Sequence, residues 1–197
     1  SENSYEYLVA RVNFIAAHIN EGELETAESQ IQSLREELTK LNHTLLLANT
    51  FELEAQIFIQ RKWWSKAEVA LSRSLQLLIK DKTTNQLFAR KWQAILLSLK
   101  TGEVNRNLEP IRREAIAMGH WETLRECDFY QALILNDFNK AKYLYFGTPF
   151  PSYQRRIVKT FGETLRTSTE AFWNGSVLKK ESRGFSLLSA EFHGEPG

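Results

Sequence analysis

The stretch Gly22-Glu23-Leu24-Glu25-Thr26-Ala27-Glu28-Ser29-Gln30-Ile31 contains a pattern that recurs along the chain. A turn-forming residue is followed after two positions by a large apolar residue, then by a small residue and a large aliphatic or aromatic one. The four copies are Gly22/Leu24/Ala27/Ile31, Lys62/Trp64/Ala67/Leu71, Gly102/Val104/Asn107/Ile111 and Asn136/Phe138/Ala141/Tyr145. The first three copies lie 40 residues apart, and the fourth follows after 34. A fixed period of this size predicts a stack of helical hairpins.

Apolar residues at helical spacing place two helices in each copy. In the first helix, for example, Leu8, Val12 and Ile15 fall on one face. The predicted helices span 5–19, 24–38, 45–60, 64–79, 86–100, 104–118, 123–135 and 138–146, with a further helix over 153–161. Pro110 lies inside one of them and is expected to kink that helix or shift its start, because proline lacks a backbone donor.

The composition excludes several broad classes. The 197 residues include 25 basic and 24 acidic side chains and a formal net charge of +1, so no overall field attracts nucleic acid or an anionic membrane. The apolar runs are too short to span a bilayer, and no signal peptide opens the chain. Cys127 is the single cysteine, which fits a reducing compartment. These features predict a cytoplasmic protein without a membrane partner.

The repeated pattern resembles the tetratricopeptide repeat, in which small residues let paired helices approach closely. Ala16, Ala55 and Ala94 stand on the first helices, and Ala27, Ala67 and Ala141 on the second. The 40-residue period is similar to that of the long-repeat variety found in MalT-like bacterial regulators. The resemblance implies an all-α fold, a right-handed superhelix of about four hairpins over residues 3–162. Three positions depart from the family pattern, namely Lys62, Asn107 and Pro110.

Beyond residue 162 the composition changes, and residues 163–197 are predicted to be a mixed tail or the start of another domain. Apolar runs flank Asn174-Gly175 between Ala171 and Leu178, a strong signal for a β-hairpin. A short helix is predicted near Phe185 to Phe192. This tail is weakly similar to the front of an OmpR-type winged-helix domain, which implies that an output domain follows. The alternative is an ordinary capping tail.

The sequence contains no recognisable catalytic or cofactor motif. Its four histidines, His18, His43, His120 and His193, are scattered, and neither a zinc-binding motif nor a glycine-rich phosphate loop occurs. Acidic neighbours surround Cys127, so an inert, half-buried thiol is expected. The chain is therefore predicted to be no enzyme, with no cofactor and no bound metal.

The resemblance also implies a binding surface, because the first helix of each hairpin lines the concave groove of such a superhelix. Amides, one acid, one lysine and two aromatic side chains occupy the corresponding positions. The set is Asn13, Asn20, Glu52, Gln56, Gln60, Trp92, Gln93, Lys100 and Tyr130. The cations with which co-chaperone members of the family hold a terminal carboxylate are missing, which excludes that specialisation.

The predicted function is to bind a protein or peptide segment, as the interaction or sensor domain of a larger bacterial cytoplasmic regulator, transcriptional regulators included. Two alternatives stay open, a passive scaffold and a noncatalytic regulatory region of a kinase or ATPase. The repeat domain itself is not expected to bind nucleic acid; DNA would be reached through a missing C-terminal domain. Homo-oligomerisation also stays open.

Overall fold

The computed structural model describes residues 4–80 and 84–174, and this part of the chain is helical, without strands. The helices are α1 (Tyr5–Glu21), α2 (Leu24–Lys40), α3 (Thr44–Gln60), α4 (Trp64–Leu77), α5 (Thr84–Thr101), α6 (Val104–Ala117), α7 (Trp121–Leu135), α8 (Phe138–Phe146) and α9 (Pro151–Asn174). The prediction of an all-α chain is confirmed for this part. The chain divides into two compact units, Ser1–Cys127 and Asp128–Gly197.

The turns inside the hairpins of the first unit use the predicted positions. Gly22, Lys62 and Gly102 all have positive φ, at 84°, 60° and 74°. After the first of these turns the amide of Glu23 donates to the carbonyl of His18 at 2.9 Å, and after the second the amide of Trp63 donates to Phe58 at 2.8 Å. These bonds satisfy carbonyls at the ends of α1 and α3, which explains why the turn residue recurs.

Lys62 adopts the left-handed conformation with a side chain that disfavours it. The conformation costs about 1 kcal/mol for a residue with a Cβ atom. Lys62→Gly removes this cost but increases the conformational entropy of the unfolded chain. The net effect should be a rise of about 0.5 to 1 kcal/mol in the free energy of unfolding. Urea denaturation measures the change. Gln32→Gly, at an exposed site inside α2, should instead lower stability by about 1 kcal/mol; a loss at both sites would contradict the assignment.

In the first unit the first hairpin (α1 and α2), the second (α3 and α4) and the third (α5 and α6) stack on one another. Helix α1 contacts α2 and α3, α3 contacts α4 and α5, and α5 contacts α6. The first hairpin shares one core with α3, in which Leu38 of α2 and Ile57 of α3 are fully buried. Ala27 and Ala67 are also fully buried, so two of the three small positions of the pattern in this unit lie in its core, whereas the third, Asn107, is half-buried.

Arginine side chains link the helices of the first unit. Arg35 of α2 donates to Thr50 Oγ1 at 3.2 Å and to Glu54 Oε1 at 3.1 Å, both on α3. Arg90 of α5 forms a two-pronged pair with Glu114 of α6, at 3.0 and 2.7 Å. Planar two-donor contacts of this kind restrict how neighbouring helices slide past each other.

Pro110 does not shift the start of its helix. Helix α6 begins at Val104 and continues through Pro110, which is exposed. Leu108 and Ile111 on either side of the proline are buried. Packing of this apolar face therefore maintains the helix despite the missing backbone donor.

The described part of the second unit holds the end of α7 together with α8 and α9. Phe129 is buried there, and the centroid of its ring lies 6.1 Å from that of Tyr153 and 5.9 Å from that of Phe161. The guanidinium of Arg156 lies 4.2 Å from the centroid of the Phe129 ring. Aromatic and cation–π contacts thus join α9 to the end of α7.

Helix α9 contains the predicted helix over 153–161 but extends further. Its regular geometry is interrupted at Gly162, where φ is 55° and ψ is −139°, so glycine marks a sharp change of direction. Residues 171–174 are helical, and the prediction that they form the first strand of a hairpin is wrong. A short apolar run does not distinguish strand from helix by periodicity. The rest of that hairpin and the helix predicted near 185–192 lie outside the described residues, and the boundary between 3–162 and 163–197 stays a prediction.

Candidate functional site

The nine residues predicted to line a groove differ in accessibility. Asn13, Asn20, Gln60, Gln93 and Lys100 are exposed, and Gln56 is half-buried. Glu52, Trp92 and Tyr130 are buried. The last three are therefore not open contact residues, and the binding role of the whole set stays a prediction.

Four of the five exposed members lie on α1 and α5, and the fifth, Gln60, lies on α3. We name Asn13, Ala17 and Asn20 the α1 patch. Gln93, Leu97 and Lys100, which stand 80 residues further along, are the α5 patch. Both sets repeat at intervals of four and three residues, so each occupies a single helix face.

Within the α5 patch, Leu97 keeps 46% of its surface exposed. Lys100 pairs with Glu68 of α4, and the Gln93 amide has no protein partner among the described residues. The patch thus offers an amide, an apolar surface and a cation on adjacent turns. Such a combination contacts a peptide through its backbone, its apolar side chains and its acidic groups.

Helix α3 carries Leu53, Ile57 and Gln60 at the corresponding positions, but the two aliphatic residues of this face are buried. Leu53 and Ile57 belong to the core shared with the first hairpin. Gln60 Nε2 donates to the carbonyl of Ile19 at 3.0 Å, near the end of α1. The structure therefore does not join the predicted residues into one continuous polar row across α3.

Four side chains of α3 and α5, three of them buried, form a polar group that we call the Glu52 cluster: Glu52, Gln56, Lys91 and Trp92. Glu52 and Lys91 are each 8% exposed and Trp92 is 5% exposed. Gln56 Nε2 lies 3.4 Å from Glu52 Oε1, at the long end of hydrogen-bond distances. Lys91 Nζ lies 4.9 Å from the centroid of the Trp92 ring.

The electrostatics of the cluster depend on burial. Burial raises the pKa of Glu52, while the attraction of Lys91 and hydrogen bonding by Trp92 and Gln56 lower it in part. Attraction between the Glu52 carboxylate and the Lys91 ammonium offsets part of the cost of withdrawing both groups from water. The cluster therefore couples the second hairpin to the third and is not arranged as an accessible site.

The burial of Glu52 has a simple cause. It shares a face of α3 with Ala48, Ala55 and Ile59, all buried. Positions four residues before and three and seven after it lie on the same side of a helix. A charged residue inside an otherwise apolar face signals a buried polar contact, and this signal was present in the sequence.

Two residues important here were absent from the predicted set. Lys91 was missed although it directly precedes Trp92, because its partner Glu52 lies on another helix. Leu97 was missed because an apolar residue at helical spacing normally belongs to a core. Only the stacking of α5 shows that this leucine faces solvent.

Tyr130 belongs to the second unit and is described there by itself. The centroid of the Tyr130 ring lies 5.4 Å from that of Phe129 and 5.7 Å from the Arg156 guanidinium. These contacts place Tyr130 in the aromatic core around α9. It is 6% exposed.

Trp63, which directly follows the turn residue Lys62, keeps 43% of its surface exposed. Its ring contacts Phe58 at a centroid distance of 5.9 Å, with Arg61 and Lys66 over it at 4.9 and 4.3 Å. The side chain thus packs within its own hairpin. Both cations occupy part of the ring surface that a partner would otherwise use.

Cys127 is fully buried, more deeply than the predicted half-buried thiol. In the same part of the chain no group of three or more His, Cys, Asp or Glu side chains is placed to hold a metal ion. Among the described helices, none has both the length and the apolar character needed to cross a membrane.

Comparison of the chain with protein-family models, curated proteins and solved structures found no match.

Proposed function

We propose that this chain is a protein-binding helical-repeat domain and that the α5 patch is a contact surface for a peptide or protein segment. The observation that carries the proposal is the exposure of Leu97. At the corresponding position of α3, Ile57 is fully buried against the first hairpin, so this position is suited to apolar packing. On α5 it stands open between an amide and a lysine.

We further propose that the hairpins form a right-handed superhelix of the tetratricopeptide type. The repeated left-handed turns, the buried Ala27 and Ala67, and the contacts of α3 with both α1 and α5 support this geometry. In such a domain the bound segment would belong to a regulatory system, and a bacterial cytoplasmic regulator with a separate output domain is the setting we favour.

A peptide-display selection against the immobilised chain tests the binding proposal. Selected peptides should contain an apolar residue close to an acidic one, and should bind in a fluorescence-anisotropy assay. Replacing Gln93, Leu97 and Lys100 together by alanine should weaken that binding by at least about tenfold, equivalent to 1.4 kcal/mol.

The control replaces an amide, an aliphatic residue and a lysine that are exposed on α4, namely Gln76, Val69 and Lys66. This variant should bind the selected peptides as the unchanged chain does. Equal losses in both variants, or unchanged binding by the α5 variant, would exclude the α5 patch.

The same peptides distinguish a sensor from a passive scaffold. Ligand binding near α5 should alter the packing of the second and third hairpins, which the Glu52 cluster joins, and so change small-angle scattering at saturation. Scattering that is identical with and without a bound peptide would favour the scaffold.

A further inference from the structure

A stripe of alternating large and small residues runs along the exposed side of α1. Tyr7, Ala10, Phe14 and Ala17 follow one another at intervals of three, four and three residues. All four are exposed, and Phe14 keeps 56% of its surface in contact with solvent. We call these four residues the α1 stripe.

The second hairpin buries the corresponding face. Forty residues after Ala10, Phe14 and Ala17 stand Thr50, Glu54 and Ile57. Arg35 of the first hairpin bonds both Thr50 and Glu54, and Ile57 lies in the core shared with that hairpin. Helices at this place in the repeat use the face for packing, whereas on α1 it is open among the described residues.

The stripe is complementary to itself when its direction is reversed. In an antiparallel pair of α1 helices with Val12 level with the two-fold axis, Tyr7 lies opposite the partner's Ala17. Ala10 likewise lies opposite the partner's Phe14. Each large side chain of one helix therefore lies opposite a small side chain of the other. A two-fold interface requires such a surface, one that is complementary to itself.

The polar residues beside the stripe agree with the same pairing. Glu6 has no ion-pair partner among the described residues and would lie opposite the partner's His18, a ring that also contacts Glu23 of its own chain. Arg11 would lie opposite the partner's Asn13, a neutral acceptor. No two like charges face each other along the seam, so the arrangement meets no electrostatic penalty.

We propose that two copies of this chain associate through antiparallel packing of their α1 stripes. A single helix face buries less than the roughly 1,600 Å² of a standard protein interface. The dimer is therefore weak, with a dissociation constant in the micromolar range, and forms at a face separate from the α5 patch.

Sedimentation equilibrium of the whole chain between about 1 and 200 µM tests the proposal, since this range brackets weak association. The mass should rise with concentration towards that of a dimer. Phe14→Glu should raise the dissociation constant by at least about tenfold. Val69→Glu, at a site on α4 that is 55% exposed, should leave it unchanged.

A size exchange tests the antiparallel register. Ala10→Phe alone sets two phenylalanines against each other and should weaken the dimer. Adding Phe14→Ala to it restores one large and one small residue at that level and should return the dissociation constant to within about threefold of its original value, a difference below 1 kcal/mol. Circular dichroism confirms that each variant keeps its helical content.

Three results would overturn the proposal. The first is a monomeric mass at every concentration. The second is equal weakening by Phe14→Glu and Val69→Glu. The third is a double variant, Ala10→Phe with Phe14→Ala, that keeps its helical content but dimerises no more tightly than Ala10→Phe alone.

Discussion

Lys91→Met should lower the free energy of unfolding at pH 7 by about 3 kcal/mol, because it leaves the Glu52 carboxylate buried without its cation. Glu52 is 8% exposed, and burial already raises its pKa against the attraction of Lys91. Methionine preserves much of the lysine volume, so the loss reports the charge rather than a cavity. Urea denaturation of the two proteins measures the difference.

The pH dependence of this loss follows from the same pKa. A carboxyl whose pKa is raised by folding binds its proton more tightly in the folded chain, so lowering the pH towards that pKa favours the folded state. Removing Lys91 raises the pKa of Glu52 further. The stability gap between Lys91→Met and the unchanged chain should therefore narrow between pH 7 and pH 5, and a gap that widens would contradict the assigned environment.

Lys100→Met provides the matched control in the same helix. Lys100 is exposed and pairs with Glu68, so its loss should cost no more than about 1 kcal/mol. Combining Lys91→Met with Glu52→Leu should recover much of the stability lost in the single variant, since no unpaired charge then remains buried. Additive losses in the double variant would mean that the two residues do not interact.

Ala67→Leu should lower the free energy of unfolding by about 2 to 3 kcal/mol, the larger side of the usual cost of inserting a side chain into a packed core. Ala67 is fully buried on α4, and it is the small residue of the second copy of the repeat. A leucine there would push α4 away from its neighbours. Thermal or urea denaturation measures the loss.

Ser72→Leu is the control for the added volume. Ser72 is exposed on the same helix, so the substitution should change stability by no more than about 0.5 kcal/mol. If Ala67→Leu were tolerated equally well, the small residue of the repeat would have no packing role, and the resemblance to the tetratricopeptide repeat would lose its main physical support.

The hairpins of the first unit were predictable because their signals are local. A residue that tolerates positive φ, such as Gly22 or Lys62, ends one helix, and the apolar spacing that follows starts the next. Among the described residues of that unit, the helices and turns observed are those that the local signals predict. The failure at residues 171–174 has the opposite cause, since a short apolar run carries no period of its own.

The candidate surface was predictable only in part. The resemblance to the repeat family implied that Asn13, Gln93 and Lys100 face the groove, and they are exposed. It implied the same for Glu52 and Trp92, yet both are buried together with Lys91. Helical periodicity predicts which residues share a helix face. It does not predict what packs against that face, because the packing residues lie tens of residues away in the chain.

Local chemistry thus sets the helices, the turns between them and the grouping of residues on each helix face, because backbone conformation depends on near neighbours. Stacking of the helices decides which faces remain open. Leu97 and Ile57 make the distinction plain, since two aliphatic residues at corresponding positions are 46% and 0% exposed. Their exposure follows from what each helix packs against, and that depends on long-range contacts that no local pattern encodes.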